Sequence, residues 1–262
     1  MTIELQRDGG LLRIVLARPD KRNAFNGDML TAIAAGIDTA NSDETVRVVV
    51  VQSHGKVFCA GADLKWMAAQ AARGPEANLE GAKTMGGVFH KVSACTKPVI
   101  ARVQGATMGG GVGLASACDI VVASSEAFFA LSEVRLGLVP AVISPFVTRR
   151  VGPAKARALF MLGGKVPADE SYRIGLVDEL VPGVDDLDDM IEALVRTLFK
   201  GAPGAQYACK QLVDGIAFKD PADVLDFTAG MIAKQRATAE ASEGIDAFLG
   251  KRPASWIPET GA

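Results

Sequence analysis

The sequence is poor in the residues that most often announce a function. Its 262 residues include four cysteines, two histidines, two tryptophans and two tyrosines. Cys59, Cys95, Cys118 and Cys209 stand far apart with no C-x-x-C spacing, which excludes the usual zinc and dithiol motifs. Free thiols in a cytoplasmic protein are the expectation. His54 and His90 form no H-x-x-x-H pair, so no metal site is expected. No apolar run approaches the roughly 18–20 residues of a membrane helix, and Met1-Thr2-Ile3-Glu4 lacks the basic and apolar regions of a signal peptide. An excess of one charge is also missing. Lys and Arg number 28 against 30 Asp and Glu, a net charge of −2, so neither a nucleic-acid partner nor a membrane surface is expected. Gly163-Gly164-Lys165 runs into Val166 rather than Ser or Thr, which removes a P-loop. There is no G-x-G-x-x-G after the first strand and no G-x-S-x-G elbow, which disfavours dinucleotide binding and serine hydrolysis.

What remains is an ordinary globular composition, 49% apolar and 22% charged. A chain this long buries roughly 70–75% of its unfolded surface and needs no staple. Its mean hydropathy of +0.22 points to spare apolar surface for subunit contacts. Ile3 to Arg7 and Leu11 to Ala17 alternate around Asp8-Gly9-Gly10 and predict a β-hairpin. Met29, Leu30, Ile33 and Ile37 recur at helical spacing, and Val46 to Gln52 reads as a buried strand. Ser53 to Ala62 reads as a loop that enters a helix at Asp63, with a second helix over Glu76 to Ala94. Strands are expected at Pro98 to Val103, Ile120 to Ala123 and Ala127 to Ala130. Leu187, Met190, Ile191, Leu194, Val195 and Leu198 mark an amphipathic helix, and Asp185-Asp186-Leu187-Asp188-Asp189 suits its N-terminus. The chain thus divides into a mixed α/β part, 1–200, and a helical part, 201–262.

Two segments hold candidate chemistry: Val57-Phe58-Cys59-Ala60-Gly61-Ala62-Asp63-Leu64-Lys65 and Gly105 to Gly113. Each follows a strand and opens a helix, where backbone N–H groups are free and the helix dipole is positive. Two such openings aimed at one point would form an oxyanion hole. Spacing alone favours the plainer reading, glycines that permit tight packing.

The motifs taken together resemble the crotonase superfamily of enoyl-CoA hydratases and isomerases. The resemblance rests on Phe58-Cys59-Ala60-Gly61-Ala62-Asp63-Leu64, on Gly109-Gly110-Gly111 before Ala117-Cys118-Asp119-Ile120, and on Ser132-Glu133-Val134-Arg135-Leu136-Gly137-Leu138-Val139-Pro140. Arg18 to Ala24 and Glu243 to Phe248 look like its first and last motifs. The resemblance implies an α/β spiral of β-β-α turns with a C-terminal helical trimerisation region, assembled as a homotrimer or homohexamer. It implies an acyl-CoA thioester substrate and no cofactor other than the CoA that the substrate carries. Carried over position by position, it makes the backbone N–H groups of Ala62 and Gly110 the oxyanion donors and Glu133 the catalytic acid–base. It places CoA against Ala60, Asp63 and Leu64, with Lys21, Arg22, Lys65 and Lys251 as phosphate partners.

One position departs from the pattern. Two-glutamate hydratases of the superfamily carry a second acid where this chain has Gly113. The first expectation remains an enoyl-CoA hydratase. Gly111-Val112-Gly113-Leu114 and Val139 to Pro145 extend the likeness to hydratases of branched or carboxylated substrates such as methylglutaconyl-CoA. A Δ3,Δ2-enoyl-CoA isomerase working with Glu133 alone is the alternative. A non-catalytic acyl-CoA- or RNA-binding member is the reading from another class. If a carboxylate is the only part missing, Gly113→Glu should raise hydration.

Overall fold

β1 (Ile3–Asp8) and β2 (Leu11–Leu16) pair antiparallel in register from Ile3 opposite Leu16 to Asp8 opposite Leu11, as the alternation predicts. The computed structural model describes residues 2–258. From β2 the chain builds a six-stranded sheet with β3 (Val48–Ser53), β5 (Val99–Val103), β7 (Ile120–Ser124) and β10 (Glu179–Val181). The order is β1-β2-β3-β5-β7-β10, and every neighbouring pair after the hairpin is parallel. A second sheet holds β4 (Val57–Cys59), β6 (Ala106–Met108), β8 (Phe128–Ala130) and β9 (Lys165–Pro167) in that order, with only β9 antiparallel.

The connections follow from parallel pairing, which needs crossovers rather than hairpins. A strand of the large sheet leads to a strand of the small sheet and then to a helix. β3 and β4 lead to α2 (Leu64–Ala71) and α3 (Pro75–Ser93); β5 and β6 lead to α4 (Gly110–Ala117). β7 and β8 lead through a short 3₁₀ turn, Glu133–Leu136, to α5 (Ser144–Leu162). α5 breaks at Gly152, whose φ of 75° precedes Pro153. α1 (Gly27–Ser42) precedes this spiral, and α6 (Ala168–Arg173) links β9 to β10.

The valines of β3 show how the large sheet serves two layers. Val49 and Val51 enter the larger core with Phe25, Phe58, Phe89, Phe129 and Met29, Leu30, Ile33 and Ile37 of α1. Val48 and Val50 face the other way, beside Ile100 and Val122, onto Leu187, Ile191, Val195 and Phe199 of α7 (Leu187–Phe199). Each such side chain, fully buried, contributes about 1.5–3 kcal/mol of transfer free energy. The acidic run does start α7: Asp188 and Asp189 lie in its first turn, and Asp188 pairs with Arg102 at 2.7 Å. α8 (Pro203–Ile216), α9 (Leu225–Arg236) and α10 (Ala239–Leu249) complete the chain.

The segment expected to be loop over Ser53 to Ala62 contains β4, and the glycine-rich segment contains β6. Both strands are three residues long. They exist because each pairs with a neighbour in the small sheet, which no local pattern announces. Asn23 ties this sheet to the chain before α1. It is fully buried and in the left-handed region at φ 53°, a conformation that asparagine tolerates. Its Nδ2 donates to the carbonyls of His54 (2.9 Å) and Val57 (2.8 Å), and its Oδ1 accepts from the Arg18 N–H (3.0 Å). Asn23→Ala removes all three bonds, and the Val57 carbonyl keeps only the Ser53 hydroxyl at 3.2 Å, so chemical denaturation should show a loss of about 2–3 kcal/mol. A loss below about 0.5 kcal/mol would mean that the bonds are replaced.

Candidate active site

Two chain turns meet at the ends of β4 and β6. Gly61 has φ 88°, and a Cβ there would lie 2.9 Å from the Met108 carbonyl oxygen and 3.4 Å from the Gly110 nitrogen. Only glycine allows this approach. The pairing of Phe25 with Ala62 fixes the first turn: Phe25 N–H donates to the Gly61 carbonyl (2.7 Å), and Asp63 N–H donates to the Phe25 carbonyl (2.8 Å). The bridge leaves the Ala62 N–H between them without an acceptor among the described residues. Gly110 is the first residue of α4, so its N–H has no partner inside the helix. The second turn is held by Gly109 N–H donating to the Ala130 carbonyl at 2.8 Å. The two sequence-predicted donors, Ala62 and Gly110, are thus brought to one place, each at a helix opening.

Asp63 is the N-cap of α2. Its Oδ1 accepts from the N–H groups of Lys65 (3.0 Å) and Trp66 (3.4 Å), and its Oδ2 meets Arg18 at 3.4 Å. The carboxylate is therefore committed to holding the turn. Ala60 and Leu64 line the cleft beside it.

That cleft is a cavity of about 400 Å³ with Ala62 and Gly110 in its wall. Trp66, Met67 and Met85 of α2 and α3 line it, with Leu136, Leu138 and Val139 toward its rim. Glu133 is its one titratable side chain among the described residues. A Cβ on Gly109 would lie 3.2 Å from Glu133 Oε1, so the carboxyl stands over the turn that presents the Gly110 N–H. Glu133 Oε2 is buried and has no hydrogen-bond partner among the described residues. Burial pushes the Glu133 carboxyl above its ordinary range, against the pull of its own backbone N–H. A raised carboxyl beside free N–H groups can exchange a proton with a substrate carbon while those groups hold negative charge on an oxygen.

The remaining predicted partners lie outside the lining. Lys21, Arg22, Lys65 and Lys251 are exposed. The Arg22 carbonyl accepts from Ala60 N–H at 3.0 Å, which seats the Lys21–Arg22 turn beside the first helix opening. Lys251 follows α10 with φ 51° and has no place in the cleft wall. Among the described residues, no three His, Cys, Asp or Glu side chains stand close enough to hold a metal ion. No helix of the described chain is long and apolar enough to cross a membrane.

Gly113 explains its own identity. A Cβ at this position would overlap Ile143 Cγ2, and it would lie 2.8 Å from Ile143 Cβ and 3.2 Å from Phe89 Cε2. Ile143 is buried and lines the cleft. The expectation that Gly113→Glu would supply a second carboxylate is corrected: Ile143 fills the space. Sequence reasoning missed Ile143, because nothing local connects it to a glycine thirty positions earlier. Ser132 also lines the cleft and was read only as part of a motif.

Residues 6–259 match the family model described as enoyl-CoA hydratase/isomerase. The crotonyl-CoA hydratase of Syntrophomonas wolfei is 34% identical over 257 residues, 97% of each chain. An enoyl-CoA hydratase structure from Shewanella pealeana superposes with a TM-score of 0.93 at 33% identity, covering 98% of this chain and 96% of that one. An enoyl-CoA hydratase/isomerase structure from Marinobacter aquaeolei gives 0.92 at 32% identity, covering 98% and 99%.

Overpacking at Gly113 is measurable. Gly113→Ala should lower stability by about 1–3 kcal/mol in chemical denaturation. Adding Ile143→Ala should recover part of that loss, because the two side chains compete for one volume. Strict additivity of the two changes would refute the contact.

Proposed function

The chain belongs to the enoyl-CoA hydratase/isomerase family, and from that premise we propose that it hydrates enoyl-CoA thioesters with Glu133 as its only acid–base group. The observation that carries this reading is the lone Glu133 carboxyl in an otherwise uncharged cleft that also presents the Ala62 and Gly110 N–H groups. The hydratases among its relatives support the direction of the reaction. One carboxylate suffices. Glu133 takes a proton from water as the water oxygen bonds to Cβ. The double-bond electrons move to the thioester oxygen, and the two N–H groups hold the resulting enolate. Glu133 then returns the proton to Cα, the thioester carbonyl re-forms, and the sum is one added water.

CoA is proposed to lie across Ala60 and Leu64, its phosphates near Lys21, Arg22 and Lys65. Asp63 keeps that turn in shape. Lys251 is proposed to reach a phosphate across a subunit contact. Residues 201–262 are proposed as the oligomerisation region of a trimer or hexamer, supported by the exposed Ile245, Phe248 and Leu249. The free thiols, three of them buried, support a cytoplasmic location. The reaction uses no cofactor beyond the CoA of the substrate.

Crotonyl-CoA should gain the mass of water and lose its conjugated-thioester absorbance. Glu133→Gln should lower turnover by about 10²–10⁴-fold without loss of the fold. The carboxylate form accepts the proton from water, so kcat/KM should rise with pH through a value above the ordinary glutamate range, as burial of Glu133 dictates. A 3-enoyl-CoA that gains absorbance at constant mass, with no water added to any thioester, would make the protein an isomerase instead.

A second reading concerns the acyl group. Arg73 donates to Gln70 Oε1 at 2.9 Å, Gln70 lines the cleft, and Arg73 has no acidic partner among the described residues. Arg73 is exposed and lies outside the lining, one hydrogen bond behind Gln70, and on that placement a carboxylated enoyl group such as methylglutaconyl-CoA is proposed. Arg73→Gln should then lower kcat/KM about tenfold for the carboxylated thioester and leave crotonyl-CoA within about twofold. Equal effects on both would remove Arg73 from acyl recognition.

A further inference from the structure

A single carboxylate can move the protons of hydration, but it leaves the attacking water held from one side. In this chain the position of the second acid of two-glutamate hydratases is closed, because Ile143 packs where a side chain at Gly113 would stand. The polar side chains left in the lining are Gln70 and Asn78, from α2 and α3, and Ser132. Ser132 immediately precedes Glu133 and begins the 3₁₀ turn that carries it.

Serine at the start of a helical turn ordinarily accepts a hydrogen bond from an N–H two or three residues on. Ser132 does not. Its backbone carbonyl accepts from Arg135 N–H at 3.0 Å, while its side chain makes no cap bond. No other hydrogen bond to the Ser132 hydroxyl exists among the described residues. The hydroxyl is half-buried rather than sealed in the core. A hydroxyl that is free of structural duty, in the wall of the cleft and next in sequence to the base, has both a donor and an acceptor to offer a water.

We propose that Ser132 is the second water-holding group of the hydration reaction: its hydroxyl accepts a hydrogen bond from the water that Glu133 deprotonates. The inference rests on the hydratase reading above. Ser132 exchanges no proton. It fixes the water by the hydrogen that stays on the adding oxygen, so the balance of the reaction is unchanged. Its role is therefore tied to water addition and not to proton transfer at Cα.

That distinction supplies the test. Purified wild type, Ser132→Ala and Ser132→Thr are assayed for hydration of crotonyl-CoA. The same proteins are assayed for exchange of the α-protons of butyryl-CoA into deuterated water, a reaction of Glu133 and the oxyanion donors that adds no water. Ser132→Ala should lower the hydration kcat about 10- to 100-fold, with KM and the exchange rate within about twofold of wild type. Ser132→Thr, which keeps the hydroxyl, should recover hydration to within about threefold. Ser132→Ala hydrating as fast as wild type would overturn this inference alone. A parallel loss of exchange and hydration would also overturn it, because Ser132 would then be supporting Glu133. Wild-type protein that adds water to no enoyl-CoA overturns the hydratase reading, and this inference with it.

Discussion

The close approach of Gly61 to Met108 and Gly110 is the contact on which the rest depends. An oxyanion can be held by two backbone donors only if two chain turns stand side by side with their N–H groups unspent. Parallel pairing of β4 with β6 brings the turns together, and the bridge from Phe25 sets the angle of one of them. Asn23 holds Phe25's stretch of chain to the carbonyls of His54, before β4, and Val57, its first residue. Two stretches of chain distant in sequence, Asn23–Phe25 and Met108–Gly110, thereby hold the Gly61–Ala62 turn. The large sheet supplies a rigid base for this arrangement: Val49 and Val51 of β3 pack in one core with Phe25 and Phe58, and Val48 and Val50 rest on α7 behind them.

The electrostatics follow from what surrounds the two turns. The cleft is walled by Trp66, Met67 and Met85, so a charge inside it is poorly solvated. Glu133 bears the consequence. Its Oε2 has no protein partner, and burial raises its carboxyl above the ordinary range. For stability the sign is unfavourable at neutral pH: the folded state holds its proton more tightly than the unfolded chain does. The stability attached to that proton is present below the unfolded value and is lost as pH rises through the raised one. Wherever Glu133 is ionised, the fold carries that charge at a cost, which is the usual balance between a site and the structure that holds it.

How much of this was legible depended on whether the signal was local. The hairpin and α1 could be read from alternation and helical spacing, and α7 from its amphipathic stripe and acidic start. β4 and β6 could not, because three-residue strands of mixed composition owe their existence to partners elsewhere in the chain. The two helix openings were visible as places where N–H groups go unpaired, yet composition could not distinguish them from tight packing. Their convergence is a fact of the small sheet. Glu133 alone would read as a surface charge; the motif around it marked it, and the apolar walls explain its raised carboxyl. Gly113 was visible as a departure, but its cause, Ile143, was not.

Replacing a second carboxylate by packed hydrocarbon has a chemical consequence. Two carboxyls in one apolar cleft would each raise the other's pKa, and their protonation would be shared. With Ile143 against Gly113, that coupling is absent among the lining residues, and the Glu133 carboxyl is raised by burial against the pull of its own backbone N–H, with no second carboxyl involved. In the proposed hydration a single carboxyl serves as base to water and as acid to Cα in succession, on one face of the double bond. Such a group gains nothing from being strongly acidic or strongly basic, since each role weakens as the other strengthens. A carboxyl raised by desolvation, with Oε2 free of a hydrogen-bond partner among the described residues, is placed for both. In that proposal the apolar contact of Ile143 with Gly113 removes a competing proton site and leaves orientation of water to neutral groups.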